Sequence, residues 1–171
     1  MSVRAPGVRV LPGVVLRPVV IPDPGAGVTP VITVPGSYEW RVVALNLLFG
    51  TSATVANRGV YLRLRSSTRE LIRVPIVQRQ KESLSVFYTW STAAGAVEGG
   101  IADLGLLVPL PELPLVPGFT LDVLCDAFQG ADQFTFITLL VYESETGGEP
   151  AAERLGSELV QPLTLAGGLE P

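Results

Sequence analysis

The sequence predicts an all-β protein built as a single β-sandwich domain, and three observations carry that prediction. From Val60 to Arg65, apolar Val60, Leu62 and Leu64 alternate with Tyr61, Arg63 and Arg65, as in a strand with one buried and one wet face. Val42 to Phe49 is apolar almost throughout, which suits a central strand covered on both sides. Turn-like segments at Pro35-Gly36, Gly50 to Gly59, Ala93 to Gly100 and Gln129 to Asp132 cut the chain into short runs, and no long helical period interrupts them.

Residues 1–30 are predicted to form an extended N-terminal arm. Prolines at 6, 12, 18, 22, 24 and 30 are interleaved with Val14-Val15 and Val19-Val20-Ile21. Proline fixes φ and removes a donor, so such a stretch is extended or at a sheet edge. Its Val14, Val15, Pro18, Val19, Val20 and Ile21 are candidate contact residues, resting on this domain or on a neighbouring subunit.

The sandwich is expected over residues 31–143. Its strands are predicted at Val31 to Val34, Trp40 to Phe49, Val60 to Arg65, Glu70 to Val77, Ser83 to Trp90, Phe119 to Ala127 and Phe134 to Tyr142. Pro75 makes the Glu70 strand an edge candidate. Residues 101–118 are apolar, but Pro109, Pro111 and Pro114 forbid a central strand and predict an extended connection that crosses the sandwich or covers its edge. Residues 144–171, with Gly147-Gly148, Pro150 and Gly167-Gly168, read as an acidic C-terminal strap. Within it, Ala151 to Val160 is a short helix candidate weakened by Gly156.

Composition narrows the function. The 171 residues suit one domain, a size that buries roughly 70% of its unfolded surface. Hydrophobic residues make up 47% and charged residues 16%, against a usual quarter or so, which implies that part of the surface is destined for association. No run approaches the roughly 18 apolar residues of a spanning helix; Leu104 to Val116 is broken by three prolines. Gly7, Pro12, Gly13 and Pro18 break the N-terminal apolar residues, so no secretory h-region is expected. The single Cys125, in FTLDVLCDAF, reads as a small buried hydrophobe. With no histidine, Ser-His-Asp and Cys-His catalysis and imidazole metal sites are excluded. Asp122 with Asp126, and Glu143 with Glu145, share strand faces and have geometry for acid–base work or a divalent ion, but solvated faces are the favoured reading. Phosphate-loop motifs are absent, and no catalytic residue, cofactor or metal is expected.

The charge is −4 overall but divided along the chain. Seven of the twelve basic residues lie between Arg58 and Lys81, whereas the chain from Tyr142 onward is acidic. Arg58, Arg63, Arg65, Arg69 and Arg73 are therefore candidate partners for Glu143, Glu145 and the acidic strap of another copy, the alternative being two ordinary solvated surfaces. The arginine run with Tyr61, Phe87, Tyr88 and Trp90 could engage nucleic acid, but the acidic pI of about 4.8 argues against it. Trp40 and Trp90 could equally build a glycan platform, although large aromatics in strands more often belong to a core or interface.

Several segments together resemble small β-rich virion proteins of tailed bacteriophages. These are the Trp40-Arg41 strand start, TSATVANR at Thr51 to Arg58, VYLRL at Val60 to Leu64, the Leu-Pro connection ending in Pro117-Gly118, and GADQFTFITLLVYE at Gly130 to Glu143. The resemblance covers residues 36 to 143 and implies a jelly-roll-like, non-enzymatic structural subunit on a capsid exterior, at a head–tail junction or on a tail. A capsid decoration or cement subunit is the leading expectation, homotrimeric, and partnered by itself and by the major capsid protein or other virion proteins, with no membrane partner. The alternative is a receptor- or glycan-binding module of a tail or head fibre, or a neck or tail subunit.

Overall fold

Alternating apolar and polar residues divide each strand between an inner and an outer surface, and pairing then assembles two layers. The structure, a computed structural model, describes residues 13–93 and 105–146. Its strands are β1 (Val14–Ile21), β2 (Val31–Thr33), β3 (Tyr38–Gly50), β4 (Gly59–Arg65), β5 (Glu70–Pro75), β6 (Ser85–Ser91), β7 (Gly105–Pro109), β8 (Pro114–Leu115), β9 (Thr120–Asp126) and β10 (Gln133–Glu145). One sheet has the order β1-β10-β3-β6-β7, with β8 added beside β3; the other is β2-β9-β4-β5.

The pairing is nested and antiparallel: β1 with β10, β2 with β9, β3 with β6, and β4 with β5. That is the winding of a jelly roll. β7 and β8 are additions within the β6–β9 connection, β7 lying parallel to β6.

The core sits between the layers. Leu45, Leu47, Phe49, Trp90, Leu139 and Val141 from the six-stranded sheet face Leu62, Leu64, Leu121 and Val123 from the other, all buried. Each contributes about 1.5–3 kcal/mol relative to exposure. Phe49 stacks on Phe134 at 4.4 Å between centroids, and Phe128 closes the cluster at 5.6 Å from Phe134.

All seven predicted strands are present, but the arm is not separate. β1 pairs along its length with β10, from Val14↔Ser144 to Ile21↔Ile137, so residues 14–21 belong to the sandwich rather than to an arm that ends at 30. Pro18 is tolerated because β1 is the sheet edge. Val19 and Ile21 pack on the domain's own core, which withdraws them as contacts for another subunit. At the other end β10 continues to Glu145, beyond the expected boundary at 143. The remainder of the acidic strap, including the helix candidate at 151–160, lies outside the described residues. β5 is an edge strand, as Pro75 predicted, and residues 105–109 form the opposite edge of the larger sheet.

β10 contains a bulge between Thr135 and Thr138, where Phe136 and Ile137 oppose Leu47 alone. Ile137 turns into the core; Phe136 is left 74% exposed at φ +51°.

Candidate interaction surfaces

The upper end of the sandwich is fixed by one ion pair. Arg58 and Asp132 are both fully buried. The guanidinium donates from Nε to Asp132 Oδ2 at 2.7 Å and from Nη2 to Oδ1 at 2.9 Å. Remaining guanidinium hydrogens reach Ser52 Oγ and the Thr54 and Ala56 carbonyls, while Asp132 accepts from the Ser52 and Gln129 backbone N–H groups at 2.7 and 2.8 Å. Burial raises the Asp132 pKa, but hydrogen bonds from Arg58, Ser52 and Gln129 outweigh it and hold the carboxyl below its usual range. The TSATVANR turn and the β9–β10 turn are thereby clamped together. Arg58 was expected to face a partner; it is instead an internal cation whose charge is neutralised within the chain.

The outer face of the four-stranded sheet collects the other predicted arginines. Register places Arg63 beside Asp122 and Arg73. Asp122 accepts from Arg63 at 3.0 and 2.8 Å and from Arg65 at 2.6 and 3.2 Å, and it is only 1% exposed under the two guanidiniums. Arg73 makes a two-pronged contact with Glu70, both bonds at 3.0 Å, and lies over the Tyr61 ring at 4.6 Å. The Arg73 hydrogen bond is the main cause that lowers the Glu70 pKa. Arg69 is exposed in the β4–β5 turn. On this face most charge already has an opposite charge from the same chain.

The outer face of the six-stranded sheet is different. Its middle row runs Val20, Thr138, Asn46, Thr89, Leu107 across five strands, with Thr89 Oγ1 donating to Asn46 Oδ1 at 2.7 Å. The next row down is Pro18, Leu140, Ala44, Ser91, Pro109. Exposed Phe87 and Phe136 stand towards the upper end and Leu16 and Tyr142 at the lower. The charged side chains on this face, Glu39 and Arg41, lie at its lower end. Sequence reasoning found the arginine face from its basic run but missed this one, whose only signal is neutral residues at the alternate positions of five separate strands.

Other candidate chemistry is used internally. Glu143 accepts from Arg17 at 2.8 Å and from Trp40 Nε1 at 2.9 Å, joining β1, β10 and β3. With Asp122 held as well, each suspected carboxylate pair has one member occupied; Glu145 is exposed at the end of β10. Val14 is half-buried, and Val15, Pro18 and Val20 are exposed. Trp40, Trp90 and Tyr88 are all buried, so they form no exposed aromatic platform. Cys125 is half-buried rather than fully enclosed, and burial is the main cause that pushes its thiol up to about 12. An apolar cavity between the sheets, lined by residues including Leu62, Ile72 and Leu113, measures about 10 Å³, barely the space of one water. Among the described residues, no group of three or more Cys, Asp and Glu converges as a metal site.

Comparison with protein families, characterised sequences and solved structures finds no match to this chain.

Proposed function

We propose that this protein is a non-enzymatic structural subunit of a phage virion, a capsid decoration subunit that works by binding further copies of itself and the major capsid protein. The observation that carries the reading is the broad, nearly uncharged outer face of the six-stranded sheet. On it Val20, Pro18, Leu140, Ala44, Leu107 and Pro109 surround a Thr138–Asn46–Thr89 centre, and a broad face of neutral and apolar residues with its charges at one end suits association. The phage-like motifs add to it, since they occupy β3, the clamped TSATVANR turn, β4 and β10. Jelly rolls serve capsids and lectins alike, so the fold does not choose between them. The glycan-binding alternative depended on Trp40, Trp90 or Tyr88 standing in solvent, and their burial removes that support.

Quantitative mass spectrometry of gradient-purified particles tests the proposal. Many copies per virion are expected. Recovery only from the soluble lysate contradicts the reading, and a copy number matching a single ring moves the protein to the neck or tail.

A further inference from the structure

We infer that the outer face of the six-stranded sheet is a self-association surface on which a second copy of this chain packs, sheet against sheet. The inference deepens the reading of an assembly subunit and rests on it only in taking association to be the protein's work.

The sheet edges are poor places for copies to join. β1 carries Pro18, β7 is five residues long and ends at Pro109, β5 ends at Pro75, and β2 has three residues. Strand addition needs a continuous run of free backbone donors and acceptors, which short or proline-bearing edges do not offer. Association is thereby directed to the face.

The face has the size for it. Five strands about 4.8 Å apart and about six residues deep give a footprint of roughly 20 by 20 Å. With side-chain relief this is within a factor of two of the ~800 Å² that each partner contributes to a standard interface. Glu39 and Arg41 lie at one end, where interface charges remain in water.

The pattern is complementary to itself. The hydrogen-bonded Asn46–Thr89 row lies in the middle, with Leu48, Phe87 and Phe136 above it and Leu16, Leu140 and Tyr142 below. A twofold axis lying in the contact plane and running across the strands exchanges these two ends. It lays the Phe136 region of one copy over the Tyr142 region of the other, an isologous contact in which one patch serves both partners. Among the described residues the face has no charge along its middle with which to read a differently charged partner.

Phe136 supplies an independent observation. Its φ of +51° is a conformation that bulky residues rarely adopt, and within one chain it leaves an aromatic ring mostly in solvent. Against a second copy the same ring is covered, as an aromatic anchor set against the Tyr142 end of the partner's β10.

Light scattering of the full chain across micromolar to near-millimolar concentration is the experiment. The mass is expected to rise from 18.1 kDa towards twice that value. Phe136→Asn, which suits a positive φ, and Val20→Lys, at a 75% exposed position, should each weaken dimerisation at least tenfold while circular dichroism stays unchanged. A wild type that is monomeric throughout overturns the inference, as does association, trimeric included, that survives both substitutions. A monomer that still decorates particles refutes this pairing and leaves the virion reading standing; a dimer absent from particles does the reverse.

Discussion

The two outer faces of this jelly roll share one architecture and solve the problem of water differently. On the four-stranded sheet, Asp122 sits under Arg63 and Arg65, and Glu70 is held by Arg73. That face meets solvent as a set of satisfied charges. On the six-stranded sheet the outward positions include Val20, Leu140, Ala44, Thr89 and Phe87, with Thr89 hydrogen-bonded to Asn46 and the charged Glu39 and Arg41 kept to the lower end. Alternation makes any strand two-faced; what fills the outward positions decides whether that face is finished as a surface or awaits a partner.

The comparison presumes that both faces ride on one rigid body, and the largest expected effect comes from breaking that body. Asp132→Asn strands the Arg58 guanidinium in the interior and should cost about 3–5 kcal/mol in urea unfolding. Because the Asp132 pKa is lowered on folding, its stabilisation is complete above the unfolded carboxyl's value of about 4 and is lost as pH falls through the lower folded value. Urea midpoints of the wild type should therefore fall across that acid range, and the Asn variant should show a shallower fall.

Asp122→Ala comes next. It leaves two partly exposed guanidiniums facing each other without their shared anion, for a loss of about 2 kcal/mol once solvent screening is allowed for. Oligomeric mass should not change; a variant that alters mass and keeps its stability would make the arginine face, and not the neutral one, the docking surface.

Phe136→Asn should move stability the other way. Relief of the positive φ is worth about 1 kcal/mol to the dilute monomer, even as association weakens. Loss of stability without loss of association would make Phe136 a folding residue. The smallest effect is expected from Glu70→Gln, an exposed partner of Arg73, whose melting temperature should match the wild type within error.

Much of this fold was legible because its central strands are governed by local pattern. Val60 to Arg65 alternates without interruption, and it emerged as β4 with Val60, Leu62 and Leu64 inside. β1, β7 and β8 were not legible as paired strands, since Pro18, Pro109 and Pro114 argue locally against pairing and the partner of β1 lies over a hundred residues downstream. The arginines were visible as a run, but nothing local distinguishes Arg58, buried on Asp132, from Arg69 in solvent. Phe136 was hidden for a third reason. Strict alternation from buried Phe134 would place it in the core, and only the bulge opposite Leu47 turns it out.

The central claim, that the neutral face is the one that docks, is tested most directly by hydroxyl-radical footprinting of the full chain at low and high concentration. Phe87, Phe136 and Tyr142 report on the six-stranded face, and Tyr61, under Arg73, reports on the other. The account predicts that the first three become several-fold less reactive as concentration rises while Tyr61 does not change. Protection of Tyr61 alone, or equal protection of all four, would contradict it.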